Sequence, residues 1–188
     1  MRALPNMKVL VAADPGEVRG AVFAALQTPG PVYVRLGRGV GAPLHLEPEK
    51  VDFRVGKGEV LRDGSDVTLA AVGVMVEQAL RAAELLEAEG VSAAVINLRS
   101  VKPIDRELLW EYADRTGAIV TAEDHNCFGG VFGAVAETVA KRRPVPMEQV
   151  ALEDTFGESG NGALLLEKYG LTAERIVLRA RAAIARKG

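Results

Sequence analysis

The chain has 188 residues, 48% of them hydrophobic and 26% charged, the composition of an ordinary folded protein. Its 23 basic and 25 acidic residues are interspersed and sum to −2, which argues against nucleic acid or an anionic membrane as a partner. The single cysteine, Cys127, excludes an intrachain disulfide, and no apolar run nears the roughly 20 residues that cross a bilayer.

Lys8 to Ala13 reads as a buried strand. Asp14-Pro15-Gly16-Glu17 then has the form of a helix start, with Asp14 as cap, Pro15 in the first turn and Glu17 closing a capping box. Val18, Ala21, Val22, Ala25 and Leu26 fall on one helical face, which predicts that this face is buried. Gly30-Pro31 ends the helix, and Pro31 to Leu36 is a second strand. Residues 1–38 thus form one βαβ unit, too small to fold alone. Residues 39–65, rich in Gly, Pro and charge, read as a linker with weak strand character around Lys57 to Leu61.

From Val67 the pattern resumes. Strands are predicted at 67–73, 91–98, 118–123 and 147–154. Helices are predicted from Val76 to Gly90, from an Asp105 cap to Arg115, over 129–143, over 162–170, and from a Thr172 cap onward. In the last helix Ile176, Val177, Ala180 and Ile184 face inward and the arginines face solvent. The alternation predicts an α/β fold: a mainly parallel open sheet with helices on both faces, preceded by the partial βαβ unit. Nothing resembling a secretory leader opens the chain, so a cytoplasmic location is expected.

No complete catalytic set appears. The sequence lacks HExxH, CxxC, GxSxG, a phosphate loop and a strand-end GxGxxG, and His45 and His125 have no evident partners. Three segments remain. In Arg35-Leu36-Gly37-Arg38-Gly39, arginines at a strand's carboxyl end suit bidentate phosphate binding; the alternative is a solvated pair. In Glu123 to Gly130, glycines at a helix start suit an anion, although two acids stand beside them; the alternative is tight strand–helix packing. In Asp154 to Gly160 two carboxylates without a partner base suit a capped turn better than acid–base work.

Taken together, RALPNMKVLVAAD, GPVYVRLGRG, INLRSVKPID, TAEDHNCFGGVFGAVAE and DTFGESG, in this order, resemble the C-terminal half of transketolase. The resemblance runs from Arg2 to the end; 1-deoxyxylulose-5-phosphate synthases and the beta subunits of 2-oxo acid dehydrogenases share parts of it. It implies that residues 1–38 end a pyrimidine-binding domain, 39–65 are a linker and 66–188 are the C-terminal domain. It implies that Arg38, with Arg35 a second candidate, holds the phosphate of a sugar substrate. It places no catalytic, cofactor-binding or metal-binding residue on this chain. Thiamine diphosphate and a divalent metal belong to the complete enzyme, which moves a two-carbon ketol unit between sugar phosphates, as in the pentose phosphate pathway. The expected partners are an upstream transketolase segment or N-terminal subunit and a second copy in a homodimer. Because the partial sheet has an open edge, residues 1–38 are expected to be poorly ordered, swapped or covered by a neighbour. The competing reading is a non-catalytic assembly module.

Overall fold

The computed structural model describes residues 1–37, 43–45 and 47–187. Strands β1 (Lys8–Ala12) and β2 (Val32–Leu36) are parallel and joined by helix α1 (Pro15–Gln27), the expected βαβ unit. Asp14 caps α1 by accepting a hydrogen bond from the Glu17 N–H at 2.8 Å.

Five strands form the larger sheet: β3 (Glu59–Arg62), β4 (Val67–Ala71), β5 (Ala93–Asn97), β7 (Ile119–Asn126) and β8 (Met147–Leu152). Their order is β3-β5-β4-β7-β8, all parallel except the antiparallel edge strand β3. Strand side chains alternate between faces. Val67, Leu69 and Ala71 pack under α2 (Met75–Ala88) and α6 (Ala173–Ile184), with Ile176, Val177 and Ala180 turned inward as expected. Ala70 and Val72 pack on the other side with α3 (Arg106–Thr116) and α4 (Val131–Val139). All of β4 is therefore buried, which is why it reads as a mostly apolar run; its one polar residue, Thr68, is hydrogen-bonded to the Thr116 hydroxyl at 2.8 Å. Asp105 caps α3, and Gly117 ends it at φ 66°, a conformation costly for a residue with a Cβ. A short helix, α5 (Gly162–Lys168), starts at an Asn161 cap.

Two sequence expectations change. Ser100–Lys102 forms a strand, β6, that pairs antiparallel with β1 and closes a second sheet of order β2-β1-β6. β1 is thus an inner strand, and its Val9 and Val11 join the core of α3 and α4. The described part of residues 1–38 is accordingly built into the fold on one side, with β2 as the outer strand. Second, α1 turns Gly16, Glu17 and Ala21 inward, and Val22 and Leu26 are exposed, Leu26 at 77%. The strand character read around Lys57 to Leu61 is the edge strand β3, and the same stretch carries a buried Phe53, which packs with Leu10 and Ala21.

Candidate functional site

The carboxyl ends of β1, β2, β4 and β7 converge, the place where open parallel sheets bind ligands. Arg35, near the end of β2, reaches across to Asp124 of β7. Its Nη1 donates to Oδ1 at 2.7 Å and its Nη2 to Oδ2 at 2.9 Å, the two-pronged geometry of a strong ion pair. Nη2 also donates to the Asp124 carbonyl at 3.1 Å. Both side chains are largely covered. Arg38 lies outside the described residues.

Beside this pair is a cavity of about 130 Å³ with an apolar wall of Val9, Val11, Val72 and Val131 and a polar rim of Arg35 and Glu123. Glu123 is 2% exposed. Burial raises its pKa, although it accepts hydrogen bonds from the N–H groups of Val131 at 2.7 Å and Phe132 at 3.2 Å. The glycine-rich turn before α4, a candidate anion site by sequence, therefore already holds the chain's own carboxylate. Gly130 makes room for it: a Cβ there would lie 2.1 Å from Glu123 Oε2. His125 is exposed, and its Nδ1 lies 3.3 Å from the Asn126 carbonyl. The acids of the Asp154 turn are engaged separately, Asp154 with the Asn126 amide at 2.9 Å and Glu158 with the Tyr169 hydroxyl at 2.8 Å.

A second ionic cluster joins the two sheets. Glu17 is fully buried and accepts from the Ala13 N–H at 2.8 Å and the Asn97 Nδ2 at 2.8 Å. The Arg99 guanidinium, 4% exposed, lies 3.3 Å from Glu17, pairs with Glu59 and covers the Phe53 ring. Asp14 accepts from the N–H groups of Leu44 and His45, each at 2.8 Å. His45 faces Asp14 through Nδ1 at 3.2 Å and Glu59 through Nε2 at 3.1 Å. Glu17, His45 and Glu59 bring ligand-type atoms within 4.8 Å of one another, but Arg99 supplies the cation that pairs with both carboxylates. The partners of His45 are not legible in the sequence, because Asp14 and Glu59 lie 31 and 14 residues away. Glu17 read only as a capping residue. One signal marked it as buried: it stands four residues before Ala21 on the inward helical face.

Burial by itself would lower the His45 pKa. The hydrogen bond and charge of Glu59, with the charges of Asp14 and Glu17, outweigh burial and raise it above 6.5. A raised folded pKa gives stability that is complete below the unfolded value and is lost as pH rises through the folded one. Unfolding free energy is therefore expected to decline with pH above about 6.5, and His45→Asn is expected to flatten that decline. Parallel pH profiles for the two proteins in urea unfolding would refute this.

Comparison with known proteins adds the following. Residues 56–176 match the family described as "Transketolase, C-terminal domain". A 6-deoxy-6-sulfo-D-fructose transketolase subunit from a Clostridium strain is 42% identical over 187 residues, covering 100% of this chain and 58% of that protein. A 1-deoxy-D-xylulose-5-phosphate synthase from Pelotomaculum thermopropionicum is 42% identical over 179 residues, covering 94% of this chain and 28% of that protein. A solved structure described as a split gene transketolase, inactive beta4 tetramer, is 48% identical with a TM-score of 0.95, over 100% of this chain and 61% of that one. The chain thus spans 61% or less of the length of each of these proteins.

Proposed function

The chain belongs to the transketolase family, and from that premise we propose that it is a C-terminal section of a thiamine-diphosphate-dependent enzyme that transfers a two-carbon ketol unit between sugar phosphates. The observation that carries this is the similarity to a transketolase subunit, 42% identity over 100% of this chain and 58% of that protein. The geometry agrees with it: an arginine-bearing strand end stands at the meeting point of the sheets. Residues 1–38 are the end of the pyrimidine-binding domain, 39–65 the connection and 66–188 the C-terminal domain. Arg38 binds the substrate phosphate. Arg35, whose two terminal nitrogens are engaged by Asp124, has less to offer a phosphate and is the secondary contact.

The described residues do not fit the cofactor. The helix start that would suit its diphosphate is filled by Glu123, and the carboxylate cluster that would suit a metal is filled by Arg99. This supports a cofactor and metal held by a partner segment, upstream in the same polypeptide or on an N-terminal subunit. In that assembly the chain also pairs with a second copy of itself, in the cytoplasm, and serves sugar-phosphate interconversion of the pentose phosphate type.

The test is calorimetric titration of thiamine diphosphate with magnesium into this chain, repeated after adding the upstream segment. Binding and ketol transfer are expected only for the combination, and Arg38→Ala is expected to raise KM for a phosphorylated sugar roughly 10- to 100-fold. Tight binding by the chain alone would mean that the cofactor site is here. No binding in either case would favour an assembly module. A second reading rests on the synthase from Pelotomaculum thermopropionicum, 42% identical over 179 residues: the chain would be the corresponding section of a 1-deoxy-D-xylulose-5-phosphate synthase. Substrate assays on the assembled enzyme separate the two activities.

A further inference from the structure

We propose that Asp124 is a positioning residue for the substrate-phosphate end of β2, so that the larger sheet aims a group needed for sugar-phosphate recognition; this rests on the phosphate-binding role given above to the β2 terminus. Three observations carry it.

The first is connectivity. β2 is an outer strand whose strand partner, among the described residues, is β1. The hydrogen bonds that join β2 to the five-stranded sheet, among the described residues, are the three from Arg35 to Asp124. Without them β2 is held by its ladder to β1 and by the packing of Val32 and Val34 against α1, neither of which ties it to β7.

The second is geometry. Both carboxylate oxygens and the backbone carbonyl of Asp124 accept from one guanidinium, at 2.7, 2.9 and 3.1 Å. A planar group held at three points has its direction fixed as well as its distance. Asp124 itself is anchored, because it follows Glu123, which is tied to the start of α4.

The third is space. Gly73, at the turn after β4, has φ 56°, and a Cβ there would lie 3.6 Å from Asp124 Oδ1 and 3.7 Å from Arg35 Nη1. The pair therefore sits where β2, β4 and β7 end together, and not on an outer face of the molecule. Arg35 and Asp124 are 89 residues apart in sequence, on opposite sides of the proposed connection between domains. Charge-assisted hydrogen bonds to a phosphate depend on the direction of the donor, so a tie at this point acts on substrate affinity.

The test uses the assembled enzyme, this chain combined with the segment that carries the cofactor residues, and two acceptors, ribose phosphate and ribose. Asp124→Asn keeps the shape and removes the charge. Its KM for ribose phosphate is expected to rise roughly 10- to 100-fold relative to its KM for ribose, with a smaller change in kcat. General loss of folding would move both acceptors together, so an unchanged KM ratio overturns the proposal. Should D124N fail to assemble, D124E, which keeps the charge but displaces it by one methylene, takes its place, and an unchanged ratio overturns the proposal again. Arg38→Ala separates this proposal from the reading beneath it. If R38A raises the ratio and D124N does not, the role of Asp124 fails alone. If neither raises it, the phosphate-binding role of the β2 terminus fails, and the role of Asp124 with it.

Discussion

Replacing Arg99 with methionine is expected to destabilise the chain by roughly 3–5 kcal/mol, because it leaves the buried Glu17 carboxylate without its cation. For a chain of 188 residues that corresponds to a Tm lower by about 6–20 °C. Arg99 is 4% exposed, and its guanidinium pairs with Glu17, which is fully buried, and with Glu59. Methionine fills the space over Phe53 but offers no charge, so the loss is electrostatic more than steric. The double variant R99M/E17Q is expected to recover part of the deficit, since it removes the larger stranded charge. Burial raises the Glu17 pKa even in the intact protein, against the lowering effect of the Ala13 N–H and of Arg99. A carboxylate with a raised folded pKa is a burden when ionised, and the burden lifts as pH falls through that pKa. The R99M deficit should therefore shrink toward acid pH. Urea unfolding at several pH values measures this, and a deficit under about 1 kcal/mol at neutral pH would show that the cluster is not a mutually dependent network.

Gly130→Ala is the second large effect, about 3 kcal/mol, from combining an overpacked site with the loss of charge-assisted hydrogen bonds. The new Cβ would lie 2.1 Å from Oε2 and 2.6 Å from Cδ of Glu123, so the carboxylate must leave its place at the start of α4. Moving it frees the N–H groups of Val131 and Phe132 at the start of α4. Gly129→Ala is the matched control. Nothing lies within 4 Å of its Cβ position, and its φ of 73° makes the cost one of backbone conformation alone. That cost is about 1–2 kcal/mol. Chemical denaturation of both variants checks the order, and a G130A protein as stable as G129A would mean that Glu123 does not cap α4.

Much of this architecture is legible in the residues, because its signals are local. The cap at Asp14, the Asp105 cap with Gly117 closing the helix, and the inward stripe of Ile176, Val177 and Ala180 each depend on a few neighbours in sequence. The mostly apolar run at 67–71, without polar alternation, announces a strand covered on both faces. The five motifs in order announce the family, because a family leaves a specific residue at each of many positions.

What the residues do not announce depends on pairing across long separations. Ser100–Lys102 is too short for a periodic signal and is a strand only because β1 lies beside it. α1 has apolar residues on more than one side, and which side is buried was settled by Phe53 and Asn97, 32 and 80 residues from Ala21 and Glu17, the helix residues that they meet. The glycines before α4 suit an anion by themselves; that their own strand supplies one, at Glu123, follows from how β7 meets the helix. The sequence by itself therefore determined the fold class, the caps at Asp14, Asp105 and Thr172, and the family. Only the tertiary structure decided the partners of the charged groups: Arg35 with Asp124, Arg99 with Glu17 and Glu59, and His45 between Asp14 and Glu59. Periodicity is written in neighbouring side chains, whereas a buried charge must find its counter-charge wherever the packed chain brings one within reach.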